Sequence, residues 1–180
     1  DEAQSIMRDF GIPRGEQLAR AYLARLQHFL GQHEAASRWA EEYQSLRAQP
    51  LRAFDELTLA RILLSTGDLQ SLPGILYPIL EKETAAGRMQ TALEVMIMLV
   101  LYYRARGETD AALEWLAKSL ELAAPEGYIR IFLDEGPPLL ELLPRVRHAA
   151  PGLVDALLNK TPAQAGSRPA PLDQLPDPLS

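Results

Sequence analysis

The sequence predicts an all-α fold built as a short stack of helical hairpins, and three observations predict it. First, 57 of the 180 residues are Leu or Ala, whereas Val, Ile and Thr together number 18. Leu and Ala lose little side-chain entropy in a helix, while β-branched residues lose χ1 freedom there. Second, Gly31, Gly67 and Gly107 stand 36 and 40 residues apart, each between two amphipathic runs. Third, the same kinds of residue recur at fixed offsets from those glycines. Leu23, Leu59 and Leu99 lie eight before, and Ala24, Ala60 and Val100 lie seven before. Ala36, Leu72 and Ala112 lie five after, Trp39, Ile75 and Trp115 eight after, and Ala40, Leu76 and Leu116 nine after. Self-similarity at this period is the mark of stacked supersecondary units.

In chain order, the pattern predicts helices over 16–30 and 33–47, then 54–66 and 69–84, then 89–106 and 109–123. Glycine suits each turn because it enters φ > 0 without a Cβ clash. In the third pair Leu113, Leu116, Leu120 and Ala123 or Ala124 form one stripe, with Thr109 or Asp110 as the expected N-cap. Pro73 fits the first turn of its helix, whereas Pro78 should kink or shorten it. Tyr128–Leu133 reads as a short helix stopped by Gly136. Pro137 and Pro138 then open a helix expected to reach about His148, and Pro151 opens a last one ending near Asn159. Residues 1–160 are thus expected to be a helical repeat domain. Residues 161–180, with five prolines among twenty, are expected to be a linker.

Composition narrows the function. The net charge of −6 argues against direct nucleic-acid contact by this segment, because phosphate binding needs a basic face. With no Cys, disulfides, zinc fingers and thiol nucleophiles are excluded. The longest apolar run, Val95 to Tyr103, is too short to span a bilayer, so no membrane contact is expected. The amino-terminal residues carry no secretory signal, and a cytoplasmic location is expected.

Motifs for chemistry are missing. There is no H-E-x-x-H, His28 and His33 sit on different helix faces, and no G-x-S-x-G elbow is present. Gly11–Gly15 lacks the Lys-Ser/Thr of a phosphate loop. Asp134 and Glu135 read as a helix-end pair of acids rather than a catalytic dyad. No enzyme activity, metal or cofactor is expected. Trp39 and Trp115, at one repeat position, read as fillers between hairpins.

The informative surface is the face formed by the first helix of each hairpin. Six residues before the glycines stand Arg25, Arg61 and Leu101, and three before stand His28, Leu64 and Arg104. Arg25 and Arg61 therefore occupy equivalent places, and Tyr22 and Glu94 are placed to approach the same groove. Guanidinium is a planar multiple donor, so stacked arginines suit an anion or polyhydroxyl ligand. Ordinary solvated or ion-paired arginines, in a chain with 15 of them, would look the same. The candidate ligand-binding set is Tyr22, Arg25, His28, Arg61, Glu94 and Arg104.

The repeated Leu and small residue, Gly eight after the Leu and Ala five later resemble tetratricopeptide repeats. Leu72 departs from that pattern, and the spacing exceeds the usual repeat of about 34 residues. The stretch Leu122 to Gly136, with Leu59–Leu64 and the closing Leu175–Ser180, resembles the large ATP-binding regulators of the LuxR family, the group that includes the maltose regulon activator. The resemblance covers roughly Ala53 to Ser180. It implies a right-handed superhelix of about three hairpins with shorter C-terminal capping helices, acting as the effector-sensing domain of a transcription regulator. It further implies an ATPase and a helix-turn-helix domain in the same parent chain, and a small-molecule effector or regulatory protein as partner. A protein-interaction scaffold with no small ligand is the alternative.

Overall fold

The computed structural model describes residues 13–45 and 52–160. The expected linker over 161–180 and the end of the helix expected over 33–47 lie outside the described residues. Among the described residues the chain is helical and contains no strand. Six longer helices come in three pairs: α1 (Pro13–Phe29) with α2 (His33–Ser45), α3 (Ala53–Thr66) with α4 (Leu72–Ala85), and α5 (Met89–Ala105) with α6 (Thr109–Ala123). A cap follows, made of α7 (Arg130–Leu133), α8 (Pro137–Leu140), a 3-10 turn over Leu143–Val146 and α9 (Pro151–Lys160).

The three register glycines close the pairs as expected, with φ of 75°, 80° and 77° at Gly31, Gly67 and Gly107. Each turn is tied in the same way. The amide after the glycine reaches back to a last-turn carbonyl, Gln32 to Gln27, Asp68 to Leu63 and Glu108 to Tyr103, at 2.8–3.0 Å. These bonds satisfy carbonyls that a helix end would otherwise orphan. Gly87 makes the same closure between α4 and α5, with Arg88 N–H donating to Glu83 C=O at 2.9 Å.

Each helix pairs with its hairpin mate, and the first helices also stack on one another, α1 on α3 and α3 on α5. The residues at the repeat positions, mostly small, are buried in this approach: Ala24, Ala60 and Val100 are no more than 1% exposed, and so are Ala36, Ala112 and the larger Leu72. Two core clusters result. The first joins the first two hairpins to one side of α5, through residues such as Leu59, Leu76, Met98 and Leu99. The second joins the other side of α5 to α6 and the cap, through Ile97, Val100, Leu116, Phe132 and Leu139. Trp39 is buried in the first cluster and stacks on Tyr43 with ring centroids 4.8 Å apart. Trp115 packs against both clusters, as a filler between units should.

Three expectations need correction. The helix expected over 137–148 is broken: α8 ends at Leu140 and a 3-10 turn takes over at Leu143. Pro144 lies at the break, where it removes an amide donor and disfavours the α region at Leu143. Neither Thr109 nor Asp110 caps α6; Glu108 holds the N-cap place and makes no side-chain cap bond. Of the two effects expected of Pro78, a kink or a shortening, the second does not occur: the helix continues through it to Ala85.

Candidate functional site

The shared face of α1, α3 and α5 gathers most of the residues singled out by spacing. Arg25 on α1 and Arg61 on α3, one repeat apart, both reach Oε1 of Glu94 on α5. The Arg25 Nη2–Glu94 contact is an ion pair, and Arg61 Nη2 stands 3.3 Å from the same oxygen. Arg61 is also gripped by Glu135, just before the Gly136 turn of the cap. Arg61 Nη1 donates to Oε2 at 3.0 Å and Nη2 to Oε1 at 2.6 Å. This two-point fit of fork to carboxylate is the strong form of the pair. The side chains of Arg61 and Glu135 are 11% and 8% exposed, so water screens the pair little. Burial pushes the Arg61 guanidinium down, but the hydrogen bonds and charges of Glu135 and Glu94 outweigh it and hold it above its ordinary value.

The other expected residues surround this chain of charges. The Tyr22 ring lies against Phe54 at the start of α3, with centroids 4.2 Å apart, and Arg25 sits over the same Phe54 ring at 5.0 Å. His28, one turn beyond Arg25, is half-buried, and its Nδ1 has no hydrogen-bond partner. Burial lowers the His28 pKa; His33, Arg61 and Arg25 add to the lowering, while Glu135 opposes it. Arg61 Nε is likewise buried without a partner. Arg104 does not join the group. It pairs with Glu141 at 2.7 Å and donates to the Pro137 carbonyl at 3.4 Å, tying α5 to α8 instead.

Two residues were missed by spacing. Phe54 lies outside the repeat offsets, and Glu135 lies 74 residues from Arg61 in the chain. The only signal for Glu135 was the unspecific one that a buried Arg needs a carboxylate. The consequence for chemistry is direct. Glu135 and Glu94 already occupy the Nη1/Nη2 fork of Arg61, and Glu94 engages Nη2 of Arg25, so an incoming anion would have to compete with these carboxylates.

A separate cleft of about 230 Å³ lies between α3 and α4, lined by residues including Glu56, Gly74, Pro78 and Glu83. It is smaller than the roughly 300 Å³ at which small-molecule pockets begin. Glu83 there is held below the usual carboxylate range by its hydrogen bond to Arg88. Among the described residues, no three His, Asp or Glu side chains are grouped to hold a metal ion, and no helix is long and apolar enough to cross a membrane.

A family model for the MalT-like TPR region matches residues 1–149. The chain belongs to that family. The match spans all three hairpins and most of the cap, so Arg25, Arg61, Glu94 and Glu135 all fall inside it. No curated protein and no solved structure matches the chain. A MalT-like TPR region is a regulatory helical repeat domain, of a kind that is typically non-catalytic.

Proposed function

We propose that this MalT-like TPR region is the signal-reception part of a large ATP-binding regulator of the LuxR family. Its receiving surface is the shared face of α1, α3 and α5, where a small effector or a regulatory protein binds. One observation supports this above the others: the charge chain Arg25–Glu94–Arg61–Glu135 links the first helices of all three hairpins to the cap. A ligand that competes for either arginine changes the contact between stack and cap, which gives binding a way to bias two packings. The ATPase and the helix-turn-helix of the same polypeptide are the domains that such a change would address. In this reading the segment works in the cytoplasm, uses no cofactor of its own, catalyses nothing and leaves DNA and membrane contact to others.

Calorimetric titration of the chain with sugars, peptides and common metabolites tests the reading. Arg25→Ala and Arg61→Ala should weaken whichever ligand or protein binds, provided circular dichroism shows both variants folded. If both leave every detected affinity unchanged, the face assignment is wrong. The reading as a pure interaction scaffold draws support from a different observation. Tyr22, Leu26, Phe29 and Leu30 leave 54–63% of their surface exposed on α1, and clustered apolar exposure marks protein contact. Capture of a protein partner by a variant that binds no small molecule would favour the scaffold.

A further inference from the structure

Trp39 and Trp115 hold the same repeat position and have different surroundings. Trp39 is 9% exposed, and Tyr43 covers its ring in a stack with centroids 4.8 Å apart. Trp115 is half-buried, and a cation stands over its ring: Lys118 Nζ lies 4.8 Å from the centroid. The neighbouring helices bring two more rings. Tyr77 on α4 has its centroid 6.1 Å from that of Trp115 and is tilted by 56°, so the two rings form walls of a corner rather than a stack. The hydroxyls of Tyr77 and Tyr103, on α5, share a hydrogen bond at 2.6 Å, which fixes the Tyr77 wall. Tyr102 braces Tyr103 edge-on, with centroids 4.9 Å apart.

Repeat packing does not call for these rings. At the preceding junction the places of Tyr77, Tyr103 and Trp115 are held by Glu41, Leu63 and Ile75. Leu63 and Ile75 are buried there, and Glu41 is exposed. The junction of the second and third hairpins thus carries three aromatic rings where its counterpart has an aliphatic seam and an acid. Tyr77 leaves 38% of its surface to solvent.

The chemistry of the corner follows from the ring quadrupole, whose negative face attracts cations, most strongly at Trp. Lys118 already exploits it, but weakly. An ammonium group is strongly hydrated, so it gives up water to approach a ring. Lys118 is also tied to Glu114 at 2.7 Å by an exposed pair of the kind that contributes little. A quaternary ammonium carries the same charge with no N–H to hydrate, and the net charge of −6 favours its approach.

We propose that the corner formed by Trp115, Tyr77 and Tyr103 binds the quaternary ammonium head of a small choline-like solute, and that the Lys118 ammonium is the internal occupant it displaces. The site shares no residue with the Arg25–Glu94–Arg61–Glu135 chain and stands or falls independently of it.

Choline is titrated against the full chain, with binding read by saturation transfer to its N-methyl protons. The reference ligand is the neutral alcohol in which carbon replaces the choline nitrogen, equal in shape and without charge. Choline should bind about tenfold more tightly than this alcohol. Tyr77→Leu, at an exposed position, should weaken choline several-fold while circular dichroism stays unchanged. Lys118→Gln should tighten choline about threefold, because it removes the competing cation and frees Glu114. Equal affinity for choline and the alcohol, or no binding of either, overturns the proposal. So does a Lys118→Gln variant that binds choline no better than the original chain. Sedimentation of the chain with phosphatidylcholine vesicles would assign the head to a lipid and overturn the choice of a free solute.

Discussion

The two ends of the stack are built from the same repeat and end differently. At the carboxyl end Ile97 and Val100 are covered by Phe132, Leu139, Leu143 and Val146 of the cap, all at most 2% exposed. At the amino end Tyr22, Leu26, Phe29 and Leu30 stand on the first helix more than half exposed. The difference teaches that hydrophobic patterning in a repeat specifies a face, while the neighbour decides whether that face is core. A repeat contacts only its neighbours, and among the described residues the first hairpin packs on the second.

The sharpest test removes side chains from the closed end. Phe132→Ala should cost about 3–5 kcal/mol, the range for deleting a fully buried Phe, read as a fall in urea midpoint with unchanged slope. A loss below 1 kcal/mol would mean that the cap does not seal the stack. Next comes Arg61→Ala, which strands Glu135 and leaves Glu94 to Arg25 alone. Breaking a buried pair from one side should cost about 3 kcal/mol, whereas Arg104→Ala, whose partner Glu141 is well exposed, should cost less than about 1 kcal/mol. Equal losses in the two variants would remove the distinction between the buried chain of charges and the rim.

A smaller effect is expected from pH. His28 has its folded-state pKa lowered, by burial first and then by the neighbouring cations. The folded state therefore binds fewer protons than the unfolded state as pH falls through the ordinary histidine range near 6.5, and stability should decline there. Substituting His28→Gln should flatten that decline, as followed by melting temperature between pH 7.5 and pH 5. An unchanged profile would show that His28 is not the group responsible. The smallest effect belongs to the exposed side chains of α1. Leu26→Ala should stay within about 0.5 kcal/mol in the chain by itself, because an exposed side chain loses little on truncation.

Much of the fold was legible because glycine and small residues are under steric constraints that act locally. Gly31, Gly67 and Gly107 need φ > 0, and Ala24, Ala60, Ala36 and Ala112 need to be small, so both requirements appear at fixed spacings. The cap was less legible. Pro137 and Pro138 marked a helix start correctly, but Pro144 should have been weighed as a breaker with equal force. Of the candidate site, the spacing rule placed Arg25 and Arg61 on one face and Glu94 within their reach. It left Arg104 in the wrong company and missed Glu135 altogether. Ion pairing across 74 residues depends on tertiary topology, and no local periodicity encodes it. Spacing also left open whether the two arginines are ion-paired, and their pairing with Glu94 and Glu135 depends on the same tertiary topology.

The helix α5 carries a further consequence. It is lined by core on opposite sides, giving Met98 and Leu99 to one cluster and Ile97 and Val100 to the other, while Tyr103 touches both. Melting of either half strips one side of α5 and exposes a helix that the remaining half holds by only one flank. The boundary between two apolar interiors thus runs along a single rod rather than through a loop, and it makes the halves share one cooperative transition where an array of independent hairpins would fray from its ends.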